Sequence, residues 1–356
     1  MKRIKKTTNI NENSKMANIE NMTNLWKKLK KPQRVAAPMV NMSELSFRML
    51  LRKYGAELCF TPMYNAKIFI NSQKHRNMYF STCPDDRPLG VQFCANDPEI
   101  FATAARMVQD QCDFVDLNLG CPQGIAKKGN YGAYLLTKVD LVCSLIETAV
   151  KICNVPITCK IRILPSLEET IALVKRIESA GCSMLTVHAR TKEQRGINTG
   201  CSNWEYIKEI KKVISIPLIY NGGILNMNHV DICMNEIGCN GIMVAEALLH
   251  NPALFSNVKI SCINIAFEYL EMCDKYNESF NFIRGHIFRL VRQFIHQFTD
   301  IRDRLSKNIT IDEYKATLFD LEKKILEMPP DDAIHKLLIC QNVPYKHRMK
   351  ITHLVD

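Results

Sequence analysis

Residues 114–132 read FVDLNLGCPQGIAKKGNYG, and this stretch decides the fold. Its first six residues are mostly apolar and stop abruptly at Gly120, which is typical of a buried strand. Cys121 follows at once, and Pro122 fixes the backbone just after the sulfur. A loop rich in glycine and lysine comes next. The stretch therefore predicts a strand that presents a single thiol at its carboxyl end, beside a basic loop.

Similar short apolar runs recur about every 20–35 residues on either side of that strand. Eight of them are present, at 34–37, 58–61, 89–93, 114–119, 157–161, 184–188, 218–220 and 242–245. Between most of them, apolar residues recur at helical spacing, as in 43–54, 97–109, 138–151, 166–180 and 226–237. Strands that alternate with helices pair in parallel, and eight such units predict an α/β fold, the (β/α)₈ TIM barrel. A doubly wound open sheet is the alternative.

Polar or glycine-rich groups stand at the ends of seven of the predicted strands, which favours the barrel. They are Pro38-Met39, Gln92, Asn118 with Cys121, Lys160 with Arg162, His188 with Arg190, Asn221-Gly222-Gly223, and Ala245-Glu246. In a barrel, the carboxyl ends of all strands meet at one mouth, where active sites lie. These residues are therefore the candidates for a functional site.

The pattern changes near residue 259, where glycines nearly vanish and the chain reads as helices to its end. We therefore predict a basic, disordered tail over 1–33, a catalytic barrel over 34–258 and an all-helical domain over 259–356. Residues 280–308 carry six lysines and arginines against two aspartates. We interpret them as a helix with one basic and one apolar face. The basic face is either a phosphate-binding surface or a solvated helix surface.

Charge and cysteine usage limit the other classes of function. The formal net charge is +11, and residues 1–31 hold nine lysines and arginines against two glutamates. Such a tail binds polyanions non-specifically or keeps the protein soluble. No run of about 18 apolar residues predicts a membrane span. The 15 cysteines include no Cys-x-x-Cys pair, so we expect no metal site, no disulfide framework and a reducing compartment. We expect a cytoplasmic location, and the basic N-terminus leaves a nuclear one open as well.

Several blocks resemble, in the same order, the successive motifs of the tRNA-dihydrouridine synthases, flavoenzymes that reduce uridine in tRNA. They are APM at 37–39, LNLGCP at 117–122, CKIR at 159–162, VHART at 187–191 and NGGI at 221–224. Finer details are similar to the eukaryotic branch that modifies uridines 16 and 17 of the tRNA D-loop, namely APMV at 37–40, SEL at 43–45, TPM at 61–63, GIAKKG at 124–129 and AE at 245–246. The resemblance covers nearly everything after residue 34. It implies an FMN-containing barrel followed by a helical tRNA-binding domain, with no obligate protein partner evident.

The chemistry of such a reaction agrees with the implied cofactors. Reducing the C5=C6 bond of uracil needs a hydride at C6 and a proton at C5. No side chain supplies a hydride, so a flavin or a nicotinamide must, and the chain has no Gly-x-Gly-x-x-Gly block for a nicotinamide. The resemblance thus implies FMN as the hydride donor through N5, NADPH or NADH as the reductant that visits it, and Cys121 as the proton donor to C5. A cysteine thiol is mostly protonated at neutral pH, as this role requires.

The resemblance also assigns roles to the strand-end residues. Lys160 would face the N1–O2 edge of the flavin, where a cation stabilises the reduced ring. The implied cofactor-binding set is Pro38, Met39, Val40, Gln92, Lys160, His188, Asn221, Gly222, Gly223, Ala245 and Glu246. For the tRNA, Asn118 would read the uracil edge, Arg190 would contact uridine or phosphate, and Lys127 and Lys128 would grip flanking phosphates.

Some positions depart from the family's pattern. Many members have Gly-Arg where this chain has Ala245-Glu246, and a glutamate cannot pair with phosphate. Asn41 stands where the eukaryotic branch usually has aspartate. Two other functions remain open from the residues alone, a flavin-dependent dehydrogenase of free pyrimidines and a non-catalytic tRNA-binding factor on the same fold.

Overall fold

Parallel strands run side by side around a closed barrel in the computed structural model, which describes residues 25–329. The strands are β1 Arg34–Ala36, β2 Cys59–Phe60, β3 Tyr64–Asn65, β4 Leu89–Cys94, β5 Phe114–Leu119, β6 Ile157–Arg162, β7 Leu185–His188, β8 Leu218–Asn221 and β9 Gly241–Val244. Their order is β1-β9-β8-β7-β6-β5-β4-β2, and the short β3 also pairs with β4. A bridge from Val35 to Leu58 joins β1 to the chain just before β2 and closes the ring. The prediction of a (β/α)₈ TIM barrel is confirmed, and the open sheet is excluded.

Helices connect the strands and continue beyond the barrel. They are α1 Leu45–Lys53, α2 Ala66–Asn71, α3 Gln73–Tyr79, α4 Pro98–Val108, α5 Gly124–Gly129, α6 Val139–Ile152, α7 Leu167–Ser179, α8 Trp204–Val213, α9 Met227–Ile237, α10 Glu246–His250, α11 Cys262–Lys275, α12 Phe280–Leu290, α13 Thr299–Lys307 and α14 Ile311–Leu326. The five barrel helices that the periodicity predicts are all present, with ends within two residues of those predicted. The pair α2 and α3, inserted between β3 and β4, was not predicted.

The barrel interior is apolar at the amino ends of the strands and polar at the carboxyl ends. Side chains on a strand alternate between its two faces, so each strand sends every second residue inward. The inward residues near the amino ends form one buried cluster that includes Val35, Phe60, Phe114, Ile219 and Met243. Further along the same strands the inward residues are polar, and they form the site described below.

A helical turn at residues 25–28 closes the apolar end of the barrel. Leu25, Trp26 and Leu29 are buried in the same cluster as the inward side chains. A Cβ built on Gly241, at the start of β9, would lie 3.4 Å from the Trp26 ring. The prediction of a disordered tail is therefore wrong for residues 25–33. The sequence suggested disorder there because the few apolar residues are surrounded by lysines. Residues 1–24 lie outside the described residues.

The helical segment after the barrel docks onto α1 through a buried polar cluster. The Glu44 carboxylate, at the start of α1, accepts hydrogen bonds from the Tyr269 hydroxyl at 2.8 Å and from His286 Nε2 at 3.1 Å. The His286 ring also stacks on Phe47, with ring centroids 4.1 Å apart. Burial alone would raise the pKa of Glu44, but the charge and hydrogen bond of His286 outweigh it and the pKa is lowered. The carboxylate is thus held ionised between barrel and helices.

The interpretation of residues 280–308 as one helix is wrong. Helix α12 ends at Leu290, the chain continues through tight turns, and α13 begins at Thr299. In these turns the backbone bonds span three residues instead of the four of an α-helix. The Phe294 N–H, for example, donates to the Val291 carbonyl at 3.0 Å. Because the two helices are separate elements, their basic residues do not form one continuous face.

The ends of the predicted domains remain predictions, since residues 330–356 also lie outside the described part. Among residues 25–329, no helix is long and apolar enough to cross a membrane.

Removing the buried carboxylate should destabilise the protein strongly. Glu44→Ala leaves the His286 ring and the Tyr269 hydroxyl without their buried partner, and we expect it to lower the free energy of unfolding by about 3–5 kcal/mol. Urea unfolding measures this change. Because the pKa is lowered in the folded state, the contribution of Glu44 is present above its usual pKa of 4.5 and is lost as the pH falls through the lowered value.

Asp320→Ala is the matched control, because it breaks the exposed ion pair with Arg304 on the same helical segment. We expect this control to cost less than about 1 kcal/mol. Equal urea midpoints for the two variants at pH 7 would contradict the role of Glu44.

Candidate active site

Cys121 lies at the carboxyl end of β5, half-buried at the barrel mouth. Its backbone N–H donates to Asn118 Oδ1 at 3.0 Å, and the Gly120 N–H donates to the same oxygen at 3.1 Å. Its carbonyl accepts a hydrogen bond from the Ala133 N–H at 3.1 Å. Both backbone groups of Cys121 are therefore held, and this fixes the direction of its Cα–Cβ bond.

Gly132 allows the chain to pack closely against Cys121. Its φ of +65° lies in the left-handed region, which side chains with a Cβ rarely adopt. A Cβ built there would lie 2.7 Å from the Cys121 carbonyl oxygen and 3.1 Å from its Cβ. Only glycine fits this position without moving the cysteine.

A chain of buried hydrogen bonds inside the barrel holds the Asn118 side chain in place. Asn118 Nδ2 donates to Gln92 Oε1, and Gln92 Nε2 donates to Asp116 Oδ2, each at 2.8 Å. Thr158 Oγ1 donates to Asp116 Oδ1 at 2.6 Å. Burial raises the pKa of Asp116 to about 6, although the hydrogen bonds from Thr158 and Gln92 and the charge of Lys160 oppose the rise. The chain links three neighbouring strands and ends at the backbone of Cys121.

Two cations follow on β6. Burial and the like charge of Arg162 lower the pKa of Lys160 to about 8. Burial, followed by the charge of Arg190, lowers the pKa of Arg162 to about 10. Arg162 Nε donates to the Gly120 carbonyl at 2.8 Å and Nη1 to the Thr191 carbonyl at 2.8 Å, so Arg162 ties together the loops after β5 and β7. Both cations line the cavity at the barrel mouth, and Arg162 is the one whose guanidinium donates to backbone carbonyls there.

These residues surround a cavity of about 160 Å³ at the mouth, called here the catalytic pocket. Seven of its lining residues belong to the predicted site, namely Pro38, Val40, Gln92, Asn118, Cys121, Lys160 and His188. Arg162, also on the wall, was named among the strand-end candidates, and Met63 and Gly120 complete the lining. Met63 comes shortly after β2, so its place behind a strand was the signal available in the sequence. Asp116 was missed because a single carboxylate in an apolar strand gives no local signal.

Asn118 has less free hydrogen-bonding capacity than its predicted role assumes. Its Oδ1 accepts from the backbone N–H groups of Gly120 and Cys121, and one Nδ2 hydrogen goes to Gln92. One N–H of the amide is left for a ligand. The geometry makes Asn118 first a positioning residue for Cys121.

The glycines after β8 lie beside His188 and Arg190. Gly222 has φ +135° and Gly223 has φ +77°. A Cβ on Gly222 would come within 3.1 Å of the His188 ring, and one on Gly223 within 3.5 Å of Arg190 Nη2. Arg190 Nη1 lies 3.2 Å from His188 Nε2. Because a guanidinium only donates, Nε2 is the acceptor of this contact and the neutral ring carries its proton on Nδ1.

Four further predicted cofactor-binding residues lie at the mouth but not on the wall of the catalytic pocket. The Met39 backbone N–H donates to Ser43 Oγ at 2.6 Å, so Met39 belongs to the turn that leads to α1. Asn221 Nδ2 donates to the Met243 carbonyl at 2.8 Å and joins β8 to β9. Ala245 precedes α10 and packs on the interior apolar cluster, and Glu246 is the first residue of α10.

The two predicted phosphate-binding lysines lie on α5, the short helix after Cys121. The side chains of Lys127 and Lys128 are exposed. Arg195, on the loop after β7, donates to the Pro122 carbonyl and holds the start of this segment. Exposed cations therefore flank the mouth on the side of the thiol.

Comparison with known proteins identifies a family. The family described as "Dihydrouridine synthase (Dus)" matches residues 34–336 of the chain. The match covers the barrel, the helical segment that follows it and the strand-end residues described above.

Individual relatives point to the same family. A tRNA-dihydrouridine(16/17) synthase-like protein of Mus musculus is 44% identical over 284 residues, which cover 79% of this chain and 60% of the relative. The chain thus spans less than two thirds of that relative's length. A tRNA-dihydrouridine(16/17) synthase of Saccharomyces cerevisiae is 39% identical over 343 residues, covering 92% of this chain and 80% of the relative.

Among solved structures, a 2-naphthoyl-CoA reductase complex superposes with a TM-score of 0.50 at 10% identity. The superposition covers 63% of this chain and 49% of that one. At this identity the likeness concerns the barrel fold alone.

The close approach at Gly132 can be tested by adding one methyl group. Gly132→Ala should displace Cys121, because the new Cβ would meet a backbone oxygen and the φ angle disfavours alanine. We expect the free energy of unfolding to fall by about 1–3 kcal/mol and the alkylation rate of Cys121 to change severalfold, as followed by mass spectrometry.

Gly124→Ala is the control, since a Cβ at Gly124 meets none of the described residues within 4 Å. It should leave stability and Cys121 alkylation unchanged. Wild-type reactivity of Cys121 in both alanine variants would show that the close approach at Gly132 does not position the thiol.

Proposed function

The chain belongs to the dihydrouridine synthase family, and from this premise we propose that it reduces uridine to 5,6-dihydrouridine in the D-loop of tRNA, at positions 16 and 17. The observation that carries the proposal is a thiol held by both of its backbone groups at a barrel mouth, beside a half-buried lysine. The similarity to 16/17 synthases supports the choice of positions. FMN is the proposed bound cofactor and NADPH or NADH its reductant.

The residues at the mouth fit FMN by the chemistry of their donors. The Lys160 ammonium faces the catalytic pocket, where it suits the N1–O2 edge of a reduced flavin ring. Gln92 lines the same pocket with an amide, which suits the pyrimidine part of the flavin. The Thr186 hydroxyl, opposite Lys160 in register, is buried without a hydrogen-bond partner among residues 25–329. The backbone amides of Gly222 and Gly223, with Arg190 beside them, suit the phosphate of FMN. Many family members have an arginine at the position of Glu246, and Arg190 would supply the positive charge that this chain lacks there.

The bound cofactor, once reduced, supplies the hydride that uracil C6 requires. All other steps fall to the chain itself. Cys121 holds the proton for C5, and the hydrogen bonds at its N–H and carbonyl hold its backbone at the wall of the pocket. His188 lines the pocket with a neutral ring that Arg190 orients, so it adds a polar contact for substrate or cofactor without adding charge. Pro38, Val40 and Met63 form the apolar part of the pocket wall.

The target uridine must leave its stack in folded tRNA to reach this pocket, at a cost of a few kcal/mol. Lys127 and Lys128 are exposed beside Cys121, where phosphates that flank the flipped nucleotide would lie. Contacts between these lysines and the phosphates would offset part of that cost. We further propose that the protein works in the cytoplasm, where its cysteines stay reduced, and we leave a nuclear pool open.

The decisive test is the dihydrouridine content of tRNA, by position, in cells that lack the protein. Wild type should restore dihydrouridine at positions 16 and 17, whereas Cys121→Ala should reduce the rate by about 10²–10⁴-fold because the proton donor is gone. Cys153→Ala is the control, since that half-buried cysteine follows α6 at the opposite end of the barrel. Unchanged dihydrouridine at every position in the cells without the protein would refute the proposal.

Lys160 should set the reduction potential of the flavin. Lys160→Met removes the cation next to the reduced ring, and we expect the midpoint potential of bound FMN to fall by about 30–60 mV, about 1.4–3 kcal/mol for two electrons. In the wild type the potential should fall more steeply as the pH rises through about 8, where Lys160 loses its proton. Dye-linked potentiometric titration at several pH values measures both effects. Lys151→Met, on the exposed end of α6, is the control, and a potential that Lys160→Met leaves unchanged would contradict this role.

A further inference from the structure

A second cavity lies directly beside the catalytic pocket. It has a volume of about 220 Å³ and shares Val40 and Met63 with the catalytic pocket. Val40 is 57% exposed, so it stands between the two openings as a ridge. If one unit of a polymer fills the catalytic pocket, the next unit along the polymer lies at the mouth of this second pocket.

Three separate parts of the chain build the second pocket. Asn41 comes from the turn after β1, His75 and Tyr79 come from α3, and Phe282 comes from α12 of the helical segment. The pocket exists only where the barrel and the helical segment meet. Docking of α12 through His286 and Glu44 holds Phe282 in place on this wall.

Aromatic rings supply a stacking surface in the second pocket. The rings of Tyr79 and Phe282 meet edge to face, with centroids 6.3 Å apart. The His75 ring lies 4.7 Å from the Tyr79 ring. Tyr79 is 39% exposed whereas Phe282 is buried. A flat ligand could therefore reach one face of Tyr79 while Phe282 and His75 hold that ring still, which is how proteins commonly bind unstacked bases.

Polar groups in the second pocket match the edge of a base. His75 Nδ1 is buried and has no hydrogen-bond partner among residues 25–329. Asn65 uses its Oδ1 to cap α2 through the Ile68 N–H at 3.1 Å, which leaves its amide N–H groups for a ligand. Asn41 adds a second amide, on a backbone with φ +57°. Amides and a histidine ring are the groups that read base edges.

The charges around the second pocket also favour a nucleic acid. Within the described part of the chain, its lining contains no carboxylate. Lys67 on α2 and Lys74 on α3 are exposed, and along the chain they stand within two residues of the lining residues Asn65 and His75. A phosphate backbone that crosses from Lys127 and Lys128 would meet cations on this side as well.

We propose that the second pocket binds the base that neighbours the reacting uridine in the same RNA strand, by stacking on Tyr79 and hydrogen bonding to His75. The inference rests on the proposed function, because it takes the catalytic pocket to hold a flipped uridine. Binding of the neighbouring base holds the RNA strand on one side of the flipped uridine. The free energy of this contact offsets part of the stacking energy that the uridine loses when it flips.

The test combines one variant with one change in the RNA. The holoenzyme reduces tRNA transcripts that carry a normal nucleotide or an abasic site immediately 5′ or 3′ of the target uridine. With wild type, an abasic site on one of the two sides should raise KM about tenfold, the usual effect of losing one stacked base. Tyr79→Leu should raise KM about tenfold on the intact tRNA and should show no further loss on the abasic RNA.

A second readout does not depend on catalysis. A 2-aminopurine placed at the neighbouring position should lose fluorescence on binding the wild type, because stacking on Tyr79 quenches it, but not on binding Tyr79→Leu. Tyr79→Phe keeps the ring and should behave as wild type in both assays, which excludes a folding defect as the cause. Tyr206→Leu, in a different cavity formed by the loops after β6 and β7, is the matched control.

The outcomes separate the two proposals. If the wild type reduces uridine but the losses from Tyr79→Leu and from the abasic site multiply, the second pocket does not bind the neighbouring base. Equal 2-aminopurine quenching in wild type and Tyr79→Leu would likewise overturn the role of the second pocket. If the wild type reduces uridine in none of the RNAs, the proposed function itself has failed.

Discussion

The candidate active site depends on one chain of buried hydrogen bonds that runs from Thr158 through Asp116 and Gln92 to Asn118. Its last link is Asn118 Oδ1, which holds the backbone N–H of Cys121 at 3.0 Å. A hydrogen bond to a charged group stabilises by about 1.5–3 kcal/mol, and a buried polar group left without its partner costs a similar amount. Each side chain in this series therefore positions the next one. The backbone of Cys121 is in this way positioned by the Asp116 carboxylate, through Gln92 and Asn118. The raised pKa of Asp116, about 6, records what burial of that carboxylate costs.

The division of the barrel interior explains how such a polar chain is tolerated. At the amino ends of the strands the interior is filled by apolar side chains and closed by Trp26. This packed end supplies the stability that the polar end does not. At the carboxyl ends, the inward residues are polar and two cations, Lys160 and Arg162, have lowered pKa values. Excess positive charge in a partly dry site is unfavourable by itself and becomes favourable when an anionic ligand arrives.

The helical segment contributes to the second pocket as well as packing against the barrel. Its α12 docks on the buried Glu44 carboxylate, and the same helix brings Phe282 to the wall of the second pocket. The contacts that hold the two parts together thus also shape the surface on which a strand would lie. A polar docking contact is satisfied only when each donor meets its own acceptor, so it sets the relative position of barrel and helices more tightly than apolar contacts would.

The sequence alone determined the barrel, eight of its nine described strands and the position of the thiol, because alternation, helical spacing and strand ends are local properties of the chain. The convergence of strand ends at one mouth then identified seven residues of the catalytic pocket before any contact was known. Only the tertiary structure decided which groups bond to which. Gln92 and Asp116 are 24 residues apart and Glu44 and His286 are 242 apart, and no local pattern reports such pairs. For the same reason the break after Leu290, the burial of Trp26 and the second pocket were invisible in the sequence. Each depends on which surfaces meet when the barrel closes and the helices dock.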